Sequence, residues 1–168
     1  QKTNPGRSKM VRWMRLIASP NSGATLSTGG ATGVRNLLNT GASFTLDSGT
    51  TLEINSPNGI TSSGASGNIQ STGTRTFNTG ANYVYNGTAA QVTGNGLPAT
   101  VNNLTVNNAA GVTLSQAAAV NGNLTISAGT LDVSTSNYGL TVAGNWINNG
   151  GFNARSGTAT FNGTTTMS

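Results

Sequence analysis

An all-β chain coiled as a parallel β-helix, or β-solenoid, with rungs of about 20–22 residues is what three features of this sequence predict. Asn103-Leu104-Thr105-Val106, Asn123-Leu124-Thr125-Ile126 and Asn145-Trp146-Ile147-Asn148 can be laid on one another, with first residues 20 and 22 positions apart. That spacing is the length of one turn of a coiled ribbon of short strands. Gly, Thr, Asn and Ser make up 91 of the 168 residues, yet 35% of the chain is hydrophobic and only 7% charged, which separates it from disordered chains of similar bias. Finally, Asn-Gly pairs at Asn58, Asn86, Asn95, Asn121, Asn149 and Asn162 mark corners, because both residue types tolerate positive φ. Asn-Gly is also the strongest hairpin signal, so an antiparallel β-sandwich is the alternative. The intervals between the pairs, 28, 9, 26, 28 and 13 residues, suit a regular meander badly.

Residues 1–20 form a separate unit, a basic N-terminal cap or tail, and residues 21–168 the solenoid. Lys2, Arg7, Lys9, Arg12 and Arg15 supply five of the eight cations. Met10, Trp13, Met14 and Ile17 fall at the spacing of one helical face. A short helix covering the end of the strand stack and a basic tail both fit this segment. From residue 16 onward Arg35, Arg75 and Arg155 balance Asp47, Glu53 and Asp132, so the body is neutral. A nucleic-acid groove would need cations spread along the fold with aromatics between them, and nothing predicts that partner here. No stretch reaches the roughly 18 apolar residues of a membrane-spanning helix, so membrane insertion is not expected.

Strand grammar begins near Asn36. Phe44-Thr45-Leu46 and Leu52-Glu53-Ile54 alternate on either side of Asp47–Thr51, as two strands of one rung joined by a corner. Ser56 to Gly80 is the weakest part, with Ile60, Ile69 and Phe77 alone in a Ser/Gly/Thr background, and reads as a loop-rich rung or a surface excursion. The C-terminal rungs supply the predicted core ladder: Leu104, Val106, Val112, Leu114, Leu124, Ile126, Leu131, Val133, Leu140, Val142, Trp146, Phe152 and Phe161. Period-two alternation turns these inward and leaves Thr, Asn and Asp outward. Asn148 breaks the pattern, since it stands where Val106 and Ile126 point inward. A single rung buries too little apolar surface to offset the ordering of its backbone, so stability has to come from stacking.

No catalytic residue, metal site or cofactor is expected. The chain has no His and no Cys, which removes Ser/His/Asp, Cys/His and zinc chemistry. Its three carboxylates sit in different segments, and Asp47 with Glu53, six residues apart across a corner, reads as solvated edge charge. Tyr83 and Tyr85, two apart, are the one local pair that would make a platform for a surface glycan if exposed, with ordinary rung packing as the competing reading. Thr72-x-Thr74-x-Thr76 and Thr158-x-Thr160 would suit ice binding only if the pairs repeat in register from rung to rung. Asn103 and Asn123 fit a glycosylation pattern that arises by composition alone in so Asn- and Thr-rich a chain. Their shared rung position favours a stacked Asn ladder at a corner.

The run from Asn123 to Val133 and the run from Ser43 to Ile54 resemble the Gly/Asn/Thr-rich parallel β-helix repeats of Gram-negative autotransporter passengers and filamentous adhesins. Tyr83 to Pro98 is similar to stretches in very large secreted surface proteins of Bacteroidetes. The resemblance covers roughly residues 36–168, and residues 1–20 depart from it. It implies a secreted or cell-surface protein of a Gram-negative bacterium, with a role in adhesion, matrix or fibre building. Met167 and Ser168 follow Phe161 closely, with no helix or charged segment between. The expectation is therefore an open strand edge that pairs with more of the same polypeptide or with another subunit, giving self-association into a fibre. A glycan-binding module of a larger secreted adhesin or enzyme is the alternative function.

Overall fold

Leu104 pairs with Leu124, and Leu124 with Trp146, in one continuous parallel register. The computed structural model describes residues 43–163 except Thr72, together with the strands Thr25–Ser27, Gly29–Gly30 and Gly33–Val34. Residues 1–20, the expected cap or tail, lie outside the described residues.

The described chain is a parallel β-solenoid with three faces. The first face stacks six strands in the order Thr25–Ser27, Thr51–Ile54, Asn82–Tyr85, Asn103–Asn107, Leu124–Ala128 and Trp146–Asn148. The second stacks Gln91–Val92, Val112–Thr113, Thr130–Asp132 and Gly151–Asn153. The third stacks Thr100–Val101, Ala118–Val120, Leu140–Val142 and Ala159–Phe161. Phe44–Leu46 and Arg75–Phe77 form a further parallel pair, each just ahead of a first-face strand in sequence. Among the described residues only the pairing of Gly29–Gly30 with Gly33–Val34 is antiparallel. The Asn-Gly pairs are therefore corners of a coil, and the sandwich alternative is set aside.

Short strands and frequent corners follow from the composition. Most strands hold one or two inward apolar side chains, and then a Gly, Asn or Ser lets the backbone turn. The rung repeat is 21 residues between Asn82 and Asn103, 20 between Asn103 and Asn123, and 22 between Asn123 and Asn145. Between Thr51 and Asn82 it lengthens to 31 residues, and the additional chain is the Ser/Gly/Thr-rich middle segment. Part of that segment is rung and part is excursion. Ile60 and Ile69 are fully buried, and the Ile60 N–H donates to the Thr93 carbonyl at 3.0 Å, while Ser62–Ser66 are exposed.

The core is a set of vertical columns. Leu52, Tyr83, Leu104, Leu124 and Trp146 form one on the first face, and Ile54, Tyr85, Val106 and Ile126 form a second, which ends on Asn148. Val112, Leu131 and Phe152 continue above Gln91 on the second face, with Leu114 and Val133 buried beside them. Val101, Val120, Val142 and Phe161 line the third, next to Leu140. Like-on-like contact of β-branched and aliphatic side chains at each level stabilises a rung only when its neighbours are present.

Two predicted core positions are less enclosed than their register suggests. Phe161 is 39% exposed and Phe152 is half-buried. Both occupy inward register, but their strands pair on one side only among the described residues. They lean on Trp146 in edge-to-face contacts, with ring centroids 4.9 Å from Phe152 and 5.4 Å from Phe161. At the other end Phe44 and Phe77, with ring centroids 5.5 Å apart, pack against the core.

Candidate functional site

Tyr83 and Tyr85 do not form an external platform. Both are fully buried, with Tyr83 between Leu52 and Leu104 and Tyr85 between Ile54 and Val106. The Tyr83 hydroxyl donates to the Asn78 carbonyl at 2.7 Å and the Tyr85 hydroxyl to the Thr93 carbonyl at 2.8 Å. Burial pushes both phenols above their ordinary pKa, and Tyr85 is raised further by the charge of an ionised Tyr83. Stacking on a sugar needs an open ring face, so the expected glycan contact at these two residues is corrected. The signal was present in the sequence: Asn82-Tyr-Val-Tyr sits 21 residues ahead of Asn103-Leu-Thr-Val, in the same inward alternation.

The first face is edged by a ladder of asparagines. Asn82 Oδ1 accepts from Asn103 Nδ2 at 2.7 Å and from Asn102 Nδ2 at 2.9 Å. Asn103 Oδ1 accepts the Asn123 backbone N–H at 2.7 Å, and Asn123 Oδ1 accepts the Asn145 backbone N–H at 2.9 Å. Glycine ahead of two of these asparagines makes the approach possible. A Cβ on Gly122 would lie 2.4 Å from Asn103 Oδ1, and one on Gly144 would lie 2.3 Å from the Gly122 carbonyl. The first step joins side chain to side chain and the next two join the side chain of one level to the backbone of the next, so the ladder fixes register as well as adding hydrogen bonds.

A second polar network, which sequence reasoning missed, lies inside the corner between the first and second faces. Gln91 is buried and donates through Nε2 to the carbonyls of Ile54 and Ser56, at 2.9 and 3.0 Å. Its Oε1 accepts from the Gly87 N–H at 2.9 Å and from Asn108 Nδ2 at 2.8 Å. Asn108, also buried, donates to the Ala89 carbonyl at 2.7 Å and accepts the Ala110 N–H at 2.9 Å. Every polar atom of these two side chains is thereby satisfied, as burial requires. Gln91 shares a column with Val112 and Leu131, and no local motif distinguishes it.

The carboxylates stand apart. Glu53 faces outward on Thr51–Ile54 and accepts from Asn86 Nδ2 at 3.3 Å, and Asp47 lies at the preceding corner. Asp132, on the second face, meets the Arg155 guanidinium at 2.6 and 2.7 Å and Asn153 Nδ2 at 3.1 Å. The Arg155 hydrogen bond holds the Asp132 carboxyl below the usual carboxylate range. Among the described residues no group of three or more His, Cys, Asp or Glu could hold a metal ion.

What the outer surface offers is repetition. Val84, Thr105, Thr125 and Ile147 form one half-buried outward column above Glu53 on the first face. Thr100, Ala119, Thr141 and Thr160 form another on the third. Levels in such a stack are about 4.8 Å apart. Thr sits on Thr at Thr45–Thr76, Thr105–Thr125 and Thr141–Thr160, but Ala119, Val84 and Ile147 interrupt the columns, and Thr72 lies outside the described residues. Comparison with protein-family models, with curated proteins and with solved structures finds no match for this chain.

Proposed function

We propose that this chain is a structural or adhesive β-solenoid segment of an extracellular surface protein or fibre of a Gram-negative bacterium. One observation carries the reading: the described body is a single run of parallel stacking whose outward positions stay in register from level to level. A surface of that kind suits lateral or end-on contact spread over a long face better than chemistry on a small molecule held in one place. The pairing that joins Leu124 to Trp146 is also the pairing that would join further rungs, of the same polypeptide or of a neighbouring molecule. Self-association through such strand edges is the mode of assembly we propose.

Negative-stain imaging together with light scattering over a concentration series tests this. Rods that lengthen with concentration are the expected result, and a monodisperse monomer at high concentration counts against end-on assembly. Intrinsic fluorescence titrated with cell-wall polysaccharides addresses the glycan-binding alternative. Trp146, nearly buried among Phe152 and Phe161, is the reporter among the described residues. A saturable change would favour a glycan-binding module over a purely structural rod.

A further inference from the structure

Six Asn-Gly pairs punctuate the described chain, and their surroundings differ in a way that bears on covalent chemistry. An Asn-Gly pair can rearrange without an enzyme. The glycine peptide nitrogen attacks the asparagine Cγ, an N–Cγ bond forms, the Cγ–Nδ2 bond breaks, and the amide nitrogen leaves as ammonia with the glycine's proton. Water then opens the resulting cyclic imide at either carbonyl, which yields aspartate or isoaspartate. Two contacts obstruct the first step: a hydrogen bond that holds the glycine N–H on another acceptor, and one that holds the asparagine side chain away from it. Either must open before the atoms can meet.

At Asn86 and Asn95 both partners are held. Asn86 is bonded by Asn55 Nδ2 at 2.8 Å and itself bonds Glu53, while the Gly87 N–H lies on Gln91 Oε1 at 2.9 Å. Asn95 Oδ1 accepts the Ser62 N–H at 3.1 Å, and the Gly96 N–H donates to the Ile60 carbonyl at 2.8 Å. At Asn58 and Asn121 the side chains are exposed but the nucleophile is held. The Gly59 N–H donates to the Ser56 carbonyl at 2.9 Å and the Gly122 N–H to the Asn102 carbonyl at 2.7 Å.

Asn149 and Asn162 differ from these four. Both are exposed. Among the described residues the Gly150 N–H reaches only the Asn148 side-chain oxygen, at 3.2 Å, an acceptor that a rotamer change removes. The Gly163 N–H has no hydrogen-bond partner among the described residues. We propose that Asn149 and Asn162 are sites of spontaneous deamidation in the folded protein, and that the stack seals the other four. Asn149 lies within the rung that runs from Trp146 to Phe161 and Asn162 directly after it, so the reaction would place carboxylates at two of its corners. Isoaspartate would in addition lengthen the backbone by one methylene, which disturbs the register any further rung must match.

Peptide mapping by mass spectrometry, on the full folded chain held in mildly alkaline buffer, tests the assignment, with a sample unfolded in urea as reference. The unfolded chain is expected to convert at all six positions. In the folded chain Asn149 and Asn162 are expected to convert at least about tenfold faster than Asn58, Asn86, Asn95 and Asn121, whose reaction waits on local opening. Conversion of any of those four as fast as Asn162 would overturn the proposal. So would an unmodified Asn149 and Asn162 under conditions that convert them in the unfolded chain.

Discussion

Asn103 Oδ1 accepts the backbone N–H of Asn123 at 2.7 Å, so a side chain of one level closes the backbone of the next. The same amide donates down to Asn82 at 2.7 Å, which makes Asn103 the middle member of a chain of amides. Asn103→Ala removes both bonds. Because the corner is solvent-accessible, water takes up part of the loss, and a destabilisation of about 1 kcal/mol is expected. A urea titration would show it as a lower midpoint at unchanged slope. An unchanged midpoint would mean that the ladder has no energetic role.

Gly144 and Gly139 make a matched pair of substitutions. A Cβ on Gly144 would lie 2.3 Å from the Gly122 carbonyl, a backbone atom that cannot move without disturbing the level below. On Gly139 the nearest atom is the Thr158 carbonyl at 4.0 Å. Gly144→Ala is expected to cost more than about 1 kcal/mol. Gly139→Ala should be neutral or stabilising by roughly 0.4–1 kcal/mol, through lower entropy of the unfolded chain. Thermal melts of the two variants would separate them, and equal effects would contradict the close approach at Gly144.

Gln91 tests the buried corner. Gln91→Leu retains volume but leaves the Gly87 N–H, Asn108 Nδ2 and two carbonyls without this partner in a site closed to water. The Ile54 and Ser56 carbonyls keep the N–H groups of Asn86 and Gly59, and Asn108 Nδ2 keeps the Ala89 carbonyl, so the Gly87 N–H is the stranded group and a loss of about 1–3 kcal/mol is expected. Asn108→Leu alone should cost less, and the double variant should fall short of the sum of the singles, because the two amides share one bond. Strict additivity in that cycle would show that the two residues act separately.

The columns of the C-terminal rungs were legible because Leu104, Leu124 and Trp146 recur at nearly constant spacing and a parallel stack needs no other information. The same logic one level earlier places Tyr83 and Tyr85 inside. That level was obscured by the 31-residue interval before it, which breaks the period as counted from the N-terminal side. Ile60 and Ile69 carry no periodic signal: both are buried by the path of the middle segment, which the bond from the Ile60 N–H to the Thr93 carbonyl ties to the stack. Gln91 and Asn108 were invisible for a related reason: amides in an apolar column are tolerated only through partners brought in by the fold. Phe161 was read correctly in register with Val142, but register alone does not state how much covers it.

Tyr83 and Tyr85 make stability depend on alkaline pH. Burial raises both phenols in the folded state, so the folded protein keeps protons that the unfolded chain releases near pH ~10. Their contribution is fully present below that unfolded value and is lost as the pH rises towards the folded values. The expected slope is about 1.4 kcal/mol per pH unit for each phenol. Urea midpoints measured at neutral pH and above pH ~10 would report it. Tyr85→Phe should lower stability at neutral pH by about 1 kcal/mol, through loss of the bond to Thr93, yet flatten the alkaline decline. An alkaline decline unchanged in Tyr85→Phe would exclude this phenol as a source.

Arg75 holds the middle segment against the stack without a carboxylate. Its Nε donates to the Ser71 carbonyl at 2.8 Å, and Nη1 donates to the Thr61 carbonyl and hydroxyl, both at 2.9 Å. Nη2 reaches the Gly64 carbonyl, so the guanidinium bridges both limbs of the exposed Ser62–Ser66 turn. Lysine cannot reproduce this planar fork. Arg75→Lys and Arg75→Ala are therefore both expected to open the turn to limited proteolysis between residues 61 and 74. The columns from Leu104 onward lie on later rungs and gain nothing from these bonds, so the fragment that contains them should resist digestion as before. Cleavage unchanged in both variants would show that the turn is held by Ile60 and Ile69 instead.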